Sequence, residues 1–311
     1  MAAITSADVL LANNAEEDIG VILQVQQKFP EIVWFPASPI PKITYKTLNI
    51  TADPVAAFRA VNVGRAVTKP TFGNQTVTCK CLDGSWNVDQ AAIKEVDDSP
   101  EWVKEALKAA AWRGVIGALC AQIWYGTTSP GSASGFAGIA SLYPNTDSEN
   151  VVDATGAGSD VASAYLLSFG DRAFNLAWGH EGALDIGPIV EGTLPTSDGT
   201  TIWGFEQKIM GWCGVQLVNN EAGVRIANLE DATTLCLTDT LVASALSKFR
   251  VGVKPDAIFC NRQQHYRLQQ SRTATNPTGA PAPFPTEAHG IPIVVTESLA
   301  QTETALVAAG S

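Results

Sequence analysis

The sequence predicts an α+β fold, and three patterns indicate it. A long helical pattern covers residues 99–125, where Trp112 and Ile116 belong to one apolar stripe. Strand-like segments then dominate residues 162–229. Residues 232–295 mix both types of element.

The composition is that of a globular protein with a sizeable core. The chain has 311 residues, of which 46% are hydrophobic and 16% are charged, and this length suffices for one or two domains. Its 31 acidic and 20 basic residues give a net charge of −11. Because phosphate binding depends on Lys and Arg, this charge argues against a protein that wraps nucleic acid.

The sequence predicts neither a membrane span, nor a secretory signal, nor a metal site. No stretch reaches the roughly 20 apolar residues that a bilayer requires, and the first 14 residues include no basic one. The six cysteines are scattered over a long chain, which predicts reduced and mostly buried thiols. Cys79 and Cys81 lack a second pair at zinc spacing, so we expect no bound metal.

Residues 1–41 are predicted to form an N-terminal arm, and residues 42–86 an extended ribbon. Four prolines near the end of the arm disfavour regular structure, and Trp34 and Phe35 need a surface to lie against, on this subunit or another. In the ribbon, two strand-like segments flank a long irregular stretch. A two-stranded ribbon is marginally stable alone, so we expect it to lie on another surface.

The helix predicted over 99–125 has signals at both of its ends. Ser99 is a suitable N-cap, Pro100 suits the first turn, and Gly126 ends the helix. At 1.5 Å per residue the helix would be about 39 Å long.

Beyond this helix, two strand-like segments predict a β-hairpin. Residues 164–169 and 173–178 flank Gly170-Asp171-Arg172, and this triplet has the chemistry of a tight turn.

Two features could suggest catalysis, but each has a plainer interpretation. The glycine-rich loop at 155–160 lacks the Lys-Ser/Thr of a phosphate-binding loop. His180 and Glu181 could form an acid–base pair, although a histidine at a strand end is more often a simple hydrogen-bonding group. We therefore expect no catalytic residue and no cofactor. The alternative, a soluble α+β enzyme, would depend on these two features.

Charged residues are segregated by sign along the chain. Residues 42–80 and 248–272 are basic islands, each with six basic residues and one acid, whereas an acidic run extends from Asp83 to Glu101. Solvated faces are the usual explanation of such runs. The alternative is that unlike patches of different copies meet, and a repeated head-to-tail contact of this kind builds rings or open arrays.

After the long helix, the chain continues with Gly126-Thr127-Thr128-Ser129-Pro130 and Gly135-Phe136-Ala137-Gly138-Ile139. Two later segments are Pro255-Asp256-Ala257-Ile258-Phe259-Cys260-Asn261 and His289-Gly290-Ile291-Pro292-Ile293-Val294-Val295. With the arm, the ribbon and the helix, this order resembles the major capsid proteins of tailed bacteriophages, whose shared architecture is named after phage Hong Kong 97. The last two segments are similar to parts of that family's axial domain.

The strand order departs from most of that family. Segments like Tyr165-Leu166-Leu167 and Val224-Arg225-Ile226-Ala227 usually come near the chain end, whereas here they precede the axial segments. This rearranged order resembles the capsid proteins of short-tailed phages related to epsilon fifteen and a Bordetella phage.

The resemblance implies a Hong Kong 97-type capsid fold with five regions. These are an N-terminal arm (1–41), an extended loop (42–86), a peripheral domain with the spine helix (87–231), an axial domain (232–290), and a return strand with the C-terminal tail (291–311). It also implies contacts between subunits at Trp34, Phe35, Arg59, Arg65, Lys69, Asp97, Asp98, Glu101, Arg262 and Arg272. In particular, a basic residue of the extended loop would meet the acidic run of a neighbour.

The function that the resemblance implies is structural, not enzymatic. Pentamers and hexamers of the chain would form the icosahedral head shell around double-stranded DNA, which they would contact without sequence specificity. Expected partners are the portal, a scaffold and, in some relatives, a cementing protein, with assembly in the bacterial cytoplasm. A further alternative is another virion component, such as a decoration or tube protein.

Overall fold

The computed structural model describes residues 26–52, 54–64, 68–95, 100–170, 173–180, 182, 184–217, 222–274, 276 and 280–310. The helices of these residues are α1 (Glu31–Trp34), α2 (Gln90–Lys94), α3 (Pro100–Tyr125), α4 (Asp239–Leu246) and α5 (Arg262–Ala274), with a 3₁₀ helix at Ile139–Leu142. The strands are β1 (Ala37–Pro39), β2 (Thr44–Ala52), β3 (Thr71–Thr78), β4 (Lys80–Asp83), β5 (Trp86–Asp89), β6 (Val151–Asp153), β7 (Val161–Leu167), β8 (Phe174–Trp178), β9 (Leu184–Ile186), β10 (Val190–Pro195), β11 (Thr201–Gln207), β12 (Ile209–Leu217), β13 (Gly223–Glu230), β14 (Ala257–Cys260), β15 (Glu287–Ala288) and β16 (Ile291–Val295). No helix in the described part of the chain has both the length and the hydropathy for crossing a bilayer.

The long helix α3 confirms the helix predicted over 99–125. Its predicted cap, Ser99, lies outside the described residues. The apolar stripe of its second half is buried, at Trp112, Ile116, Leu119 and Ile123. Gly126 follows in the left-handed conformation, with φ 61°, and a Cβ atom there would lie 2.1 Å from the backbone nitrogen of Gly138. Only glycine fits this end of the helix without strain.

The largest sheet has six strands in the order β15-β16-β14-β7-β13-β6. Strand β7 is buried along its whole length. Its alternate residues serve two cores: Tyr165 and Leu167 pack in the core that contains α3, whereas Ala164 and Leu166 pack in the core beneath α4 and α5. This sheet therefore joins the long helix to the last third of the chain.

Strands from three of the predicted regions meet in this one sheet. β6, β7 and β13 come from 87–231, β14 and β15 from 232–290, and β16 from 291–311. Strand β14 pairs with β7 on one side and with β16 on the other. The boundaries predicted after residues 231 and 290 therefore pass through a hydrogen-bonded sheet. Sequence patterns reveal strands but not their partners, and the partners here are far apart in the chain.

The hairpin predicted around Gly170 is wrong. Strand β8 lies between β1 and β12 in a second sheet, whereas β7 belongs to the six-stranded sheet. A chain reversal is present, since the Ala173 amide donates to the Gly170 carbonyl over 3.0 Å. Among the described residues, however, the two flanks share one bridge, from Phe169 to Phe174, and an edge-on contact of these two rings at 6.0 Å. Turn chemistry predicts the reversal and leaves the pairing of the strands open.

The described part of the predicted arm, residues 26–41, packs on its own subunit. Strand β1 pairs in parallel with β8 at the edge of the second sheet, where a proline is tolerated because its missing N–H need not join the ladder. Phe35 is fully buried, with its ring centroid 4.8–5.6 Å from those of Trp124, Phe174 and Phe259. The prolines therefore do not exclude regular structure here. Residues 1–25 lie outside the described residues.

Strands β2 and β3 form a two-stranded ribbon, as the sequence pattern predicts. The ribbon is shorter than 42–86, because β4 pairs with β12 and β5 pairs with β11 in the sheets of the body. At its base, Val77 and Cys79 pack with Ile40 and Ala177. Residues 54–64, which lie beyond the two strands, are exposed.

A buried ion pair fastens the C-terminal segment to β13. The distance from Arg225 Nη2 to Glu303 Oε2 is 2.9 Å, and each side chain is 7% exposed. Arg225 also donates to Ser163 Oγ (2.9 Å) and to the Tyr143 carbonyl (3.2 Å), while the Tyr125 hydroxyl donates to Glu303 Oε1 (2.9 Å). Both charges are thus compensated inside the core.

Candidate inter-subunit surfaces

The tip of the ribbon, residues 54–64, exposes apolar side chains to solvent. Its exposed members are Val55, Phe58, Val61 and Val63, and the Phe58 side chain is as exposed as in an extended chain. Isolated apolar residues on a surface are common, but a cluster of this kind is typical of a surface that binds a partner. We call this cluster the apolar tip.

Hydrogen bonds give the apolar tip a defined shape. The Val63 amide donates to the Ala60 carbonyl (3.3 Å) across a turn in which Asn62 has φ 66°. Arg59 Nη1 donates to the Val63 carbonyl (2.9 Å), and Thr68 Oγ1 donates to the carbonyl of Val55 (3.2 Å). The apolar tip was not predicted, although apolar residues without helix or strand periodicity in a basic segment are a signal that could have indicated it.

The basic residues predicted to meet a neighbour lie beside the apolar tip. Arg59 and Lys69 are both exposed. Thr68, next to Lys69, bonds to Val55 of the tip. Arg65 lies outside the described residues, as do Asp97 and Asp98 of the acidic run. The backbone of Glu101 is in the first turn of α3, but its side chain is not described.

Trp34 and Phe35 have different environments, although they are adjacent. Phe35 is buried in its own subunit and is not available to a neighbour, which corrects its prediction as an inter-subunit contact. Trp34 is 38% exposed and remains a candidate for such a contact. Trp34 ends α1 and Phe35 follows it in an extended conformation, and the sequence did not show which of the two faces the core.

Arg262 and Arg272 both form ion pairs within their own subunit. Arg272 holds Asp239 with two hydrogen bonds of 2.7 and 2.8 Å, and these bonds lower the pKa of the Asp239 carboxyl. Arg262 Nη2 is 3.7 Å from Glu297 Oε1, and its side chain is 71% exposed. Arg272 is thus held by an ion pair within its own subunit, whereas the Arg262 side chain remains accessible to a neighbouring subunit.

A second exposed apolar site lies after α4. Val251 is fully exposed and Val253 is partly exposed, and Gly252 between them has φ 89°. Lys254 Nζ donates to the Gly290 carbonyl (3.2 Å), which connects this loop to the turn before β16. The charge pattern of the sequence indicated the surrounding basic island but not these two valines.

The features that could suggest an enzyme lie at different sheets. His180 follows β8 and is exposed, with Trp212 edge-on at 5.8 Å, while Glu181 lies outside the described residues. The loop at 155–160 lies beside β13, where its Gly156 amide donates to the Asn228 carbonyl (3.0 Å). Among the described residues, no group of three or more His, Cys, Asp or Glu side chains is placed to hold a metal ion.

One family model and several solved structures match this chain. The family model described as major capsid protein GP7 matches residues 21–307. No curated protein matches the sequence significantly. Among solved structures, the chain is similar to that of bacteriophage Epsilon15, with a TM-score of 0.66 and 20% identity over 88% of both chains. It is also similar to the capsid of bacteriophage JBD30, with a TM-score of 0.53 and 9% identity over 96% of this chain and 99% of that one.

At these identities the solved structures establish the fold alone, and they confirm the Hong Kong 97-type capsid fold that the sequence predicts. The family match covers far more than half of the chain. The chain therefore belongs to the GP7 family of major capsid proteins.

Proposed function

We propose that this major capsid protein self-assembles, as pentamers and hexamers, into the icosahedral head shell of a tailed bacteriophage that encloses double-stranded DNA. The apolar tip is the observation that carries this proposal. It lies at the end of a ribbon that pairs with no other described strand, so its burial requires a surface outside the described subunit core. A neighbouring copy supplies such a surface at every position of a closed shell.

Apolar burial, more than charge, would stabilise this contact. Burying a Phe or Val side chain contributes about 1.5–3 kcal/mol, whereas an exposed ion pair contributes about 0–1 kcal/mol. Arg59, Arg65 and Lys69 would meet the acidic run near Asp97, Asp98 and Glu101 of the neighbour and select the correct register. Trp34 and Arg262, which are accessible, are further candidates for contacts between copies.

The remaining parts of the proposal concern the subgroup and the partners. The similarity to the Epsilon15 structure, together with β7 and β13 preceding β14 in the chain, supports membership of the group with rearranged strand order. The portal and a scaffold would be partners during assembly in the host cytoplasm, and a cementing protein could join the shell. The acidic chain would contact packaged DNA without sequence specificity, and it would catalyse no reaction.

Replacing Phe58 with serine is expected to prevent shell formation without unfolding the subunit, because Phe58 makes no core contact. Size-exclusion chromatography with negative-stain electron microscopy would show small oligomers in place of shells. Phe58→Leu is the matched control, since it keeps an apolar side chain, and it should still assemble. Shells of normal yield from Phe58→Ser would contradict the role of the apolar tip.

Reversing the charges of Arg59 and Arg65 together is expected to raise the subunit concentration needed for assembly by roughly three- to tenfold. Light scattering against subunit concentration would measure this threshold. Reversing Lys80 and Lys208, which are exposed outside the ribbon tip, changes the net charge equally and should have little effect. Equal thresholds for both double variants would remove the proposed contact with the acidic run.

A further inference from the structure

Glu31 is a carboxylic acid in the core of the subunit. It opens the segment 31–40, which comprises α1 and β1, and it has no exposed surface. Its Oε1 atom accepts hydrogen bonds from Trp124 Nε1 (2.9 Å) and from Thr296 Oγ1. The acid thus links this segment to α3 and to the chain that follows β16.

In the described part of the chain, hydrogen bonds but no ion pair would offset a charge on Glu31. Its Oε2 atom has no hydrogen-bond partner in the described part of the chain, and no ion pair of those residues includes it. The titratable group that faces it from α3 is Cys120, which is fully buried, and Ser298 faces it from the chain after β16. The ion pairs from Lys28 and from Arg262 to Glu297, which adjoins Thr296 and Ser298 in the sequence, are exposed at the surface.

Burial is the largest influence on this acid, and it raises the pKa of Glu31 from its ordinary value of 4.5, although the bonds from Thr296 and Trp124 act in the opposite direction. Burial also raises the pKa of Cys120, and the charge of Glu31 adds to that effect. A negative charge on either group is therefore unfavourable while segment 31–40 is in place.

We infer that Glu31 is a proton-dependent latch, which holds segment 31–40 in the subunit while it is protonated and favours release of the segment when it ionises. This inference concerns the single subunit and goes beyond the proposed role in the shell. Release would bring the carboxylate into water and would withdraw Phe35 from its aromatic neighbours. The latch thus connects the pH of the medium to the position of the N-terminal segment.

The direction of the pH dependence follows from the proton balance. Once the segment is released, Glu31 loses its proton near pH 4.5, whereas the closed segment keeps the proton to a higher pH. Closure is therefore most stable below pH 4.5, and it weakens as the pH rises from there toward the raised pKa of the buried acid. Within that window the opening equilibrium changes by up to about tenfold per pH unit.

Hydrogen exchange of the wild-type protein and of Glu31→Gln would test the latch. The reporters are the amides of Phe35, Ile40 and Leu176, which donate to carbonyls within or beside the segment. After division by the intrinsic rates, wild-type exchange should rise by up to about tenfold per pH unit above about pH 5. The Glu31→Gln variant, which resembles the protonated acid, should show no such rise. An equal pH dependence in both proteins would overturn the inference.

Glu297→Gln is the matched control, because it removes an exposed acid beside the same segment and should leave the wild-type pH dependence unchanged.

A second measurement, on the wild-type protein, does not need a variant that folds. The infrared band of a protonated carboxyl group in the wild type should persist above about pH 5, where exposed carboxyls have ionised. If every such band disappeared at the pH at which the exposed carboxyls ionise, the latch would equally be overturned.

Discussion

Replacing Glu303 with alanine is expected to lower the free energy of unfolding by about 3–5 kcal/mol, because it leaves the Arg225 guanidinium charged and unpaired in the core. Arg225 would keep its bonds to Ser163 and Tyr143, but neither of these groups carries a compensating charge. Urea unfolding of unassembled subunits would measure the loss. A decrease below about 1 kcal/mol would show that the pair is not the buried, compensated interaction that the structure describes.

Two control variants distinguish the cost of leaving a buried charge unpaired from the general cost of shortening a side chain. Glu297→Ala removes an acid that pairs with Lys28 and Arg262 on the surface, and it should cost less than about 1 kcal/mol of the free energy of unfolding. The double variant Arg225→Met with Glu303→Leu removes both charges, so it should be more stable than Glu303→Ala alone. If the double variant were less stable than the single one, the unpaired charge would not be the cause of the loss.

Replacing Phe35 with alanine is expected to cost about 3–5 kcal/mol, since it leaves a cavity among closely packed aromatic rings. The loss should appear in urea unfolding of the unassembled subunit, before any contact between copies can contribute. This result would place residue 35 in the core of its own subunit. An unchanged free energy of unfolding would instead favour the interpretation of Phe35 as part of a free arm.

Trp34→Ala is the matched control for this prediction. It removes a larger aromatic side chain from the adjacent position, but Trp34 is 38% exposed and is absent from the buried core. We expect a smaller loss of subunit stability than for Phe35→Ala. A normal subunit that assembles poorly would identify Trp34 as a contact between copies.

Local patterns predicted the elements that depend on local physics. The apolar stripe and the terminal glycine of α3 specify a helix wherever it packs, and the alternating residues of β3 specify a ribbon strand. The burial of Phe35 depended instead on which surface its segment packs against. The sequence was compatible with a surface of the same subunit and with a surface of a neighbouring subunit. The hairpin at Gly170 failed for a related reason, because the partner of β7 is β13, more than 50 residues away.

The polar groups of the core were also beyond sequence analysis. Glu31 looks like an ordinary acid at the start of a short helix, and Glu303 looks like one more acid of an acidic chain. Their burial depends on Thr296 and Arg225, which are distant in the sequence. The apolar tip is the opposite case, since its residues are contiguous and the loss of periodicity around Phe58 was visible in the sequence.

The six-stranded sheet has a consequence for how the chain reaches its native state. Strand β7 pairs with β13 and β14, so the middle of this sheet is completed by residues that are made long after β7. Pairings between distant segments form slowly, whereas a hairpin such as β2–β3 forms within microseconds. The apolar tip is therefore exposed to solvent before the six-stranded sheet is complete. At high concentration, nascent chains in this state are prone to associate prematurely.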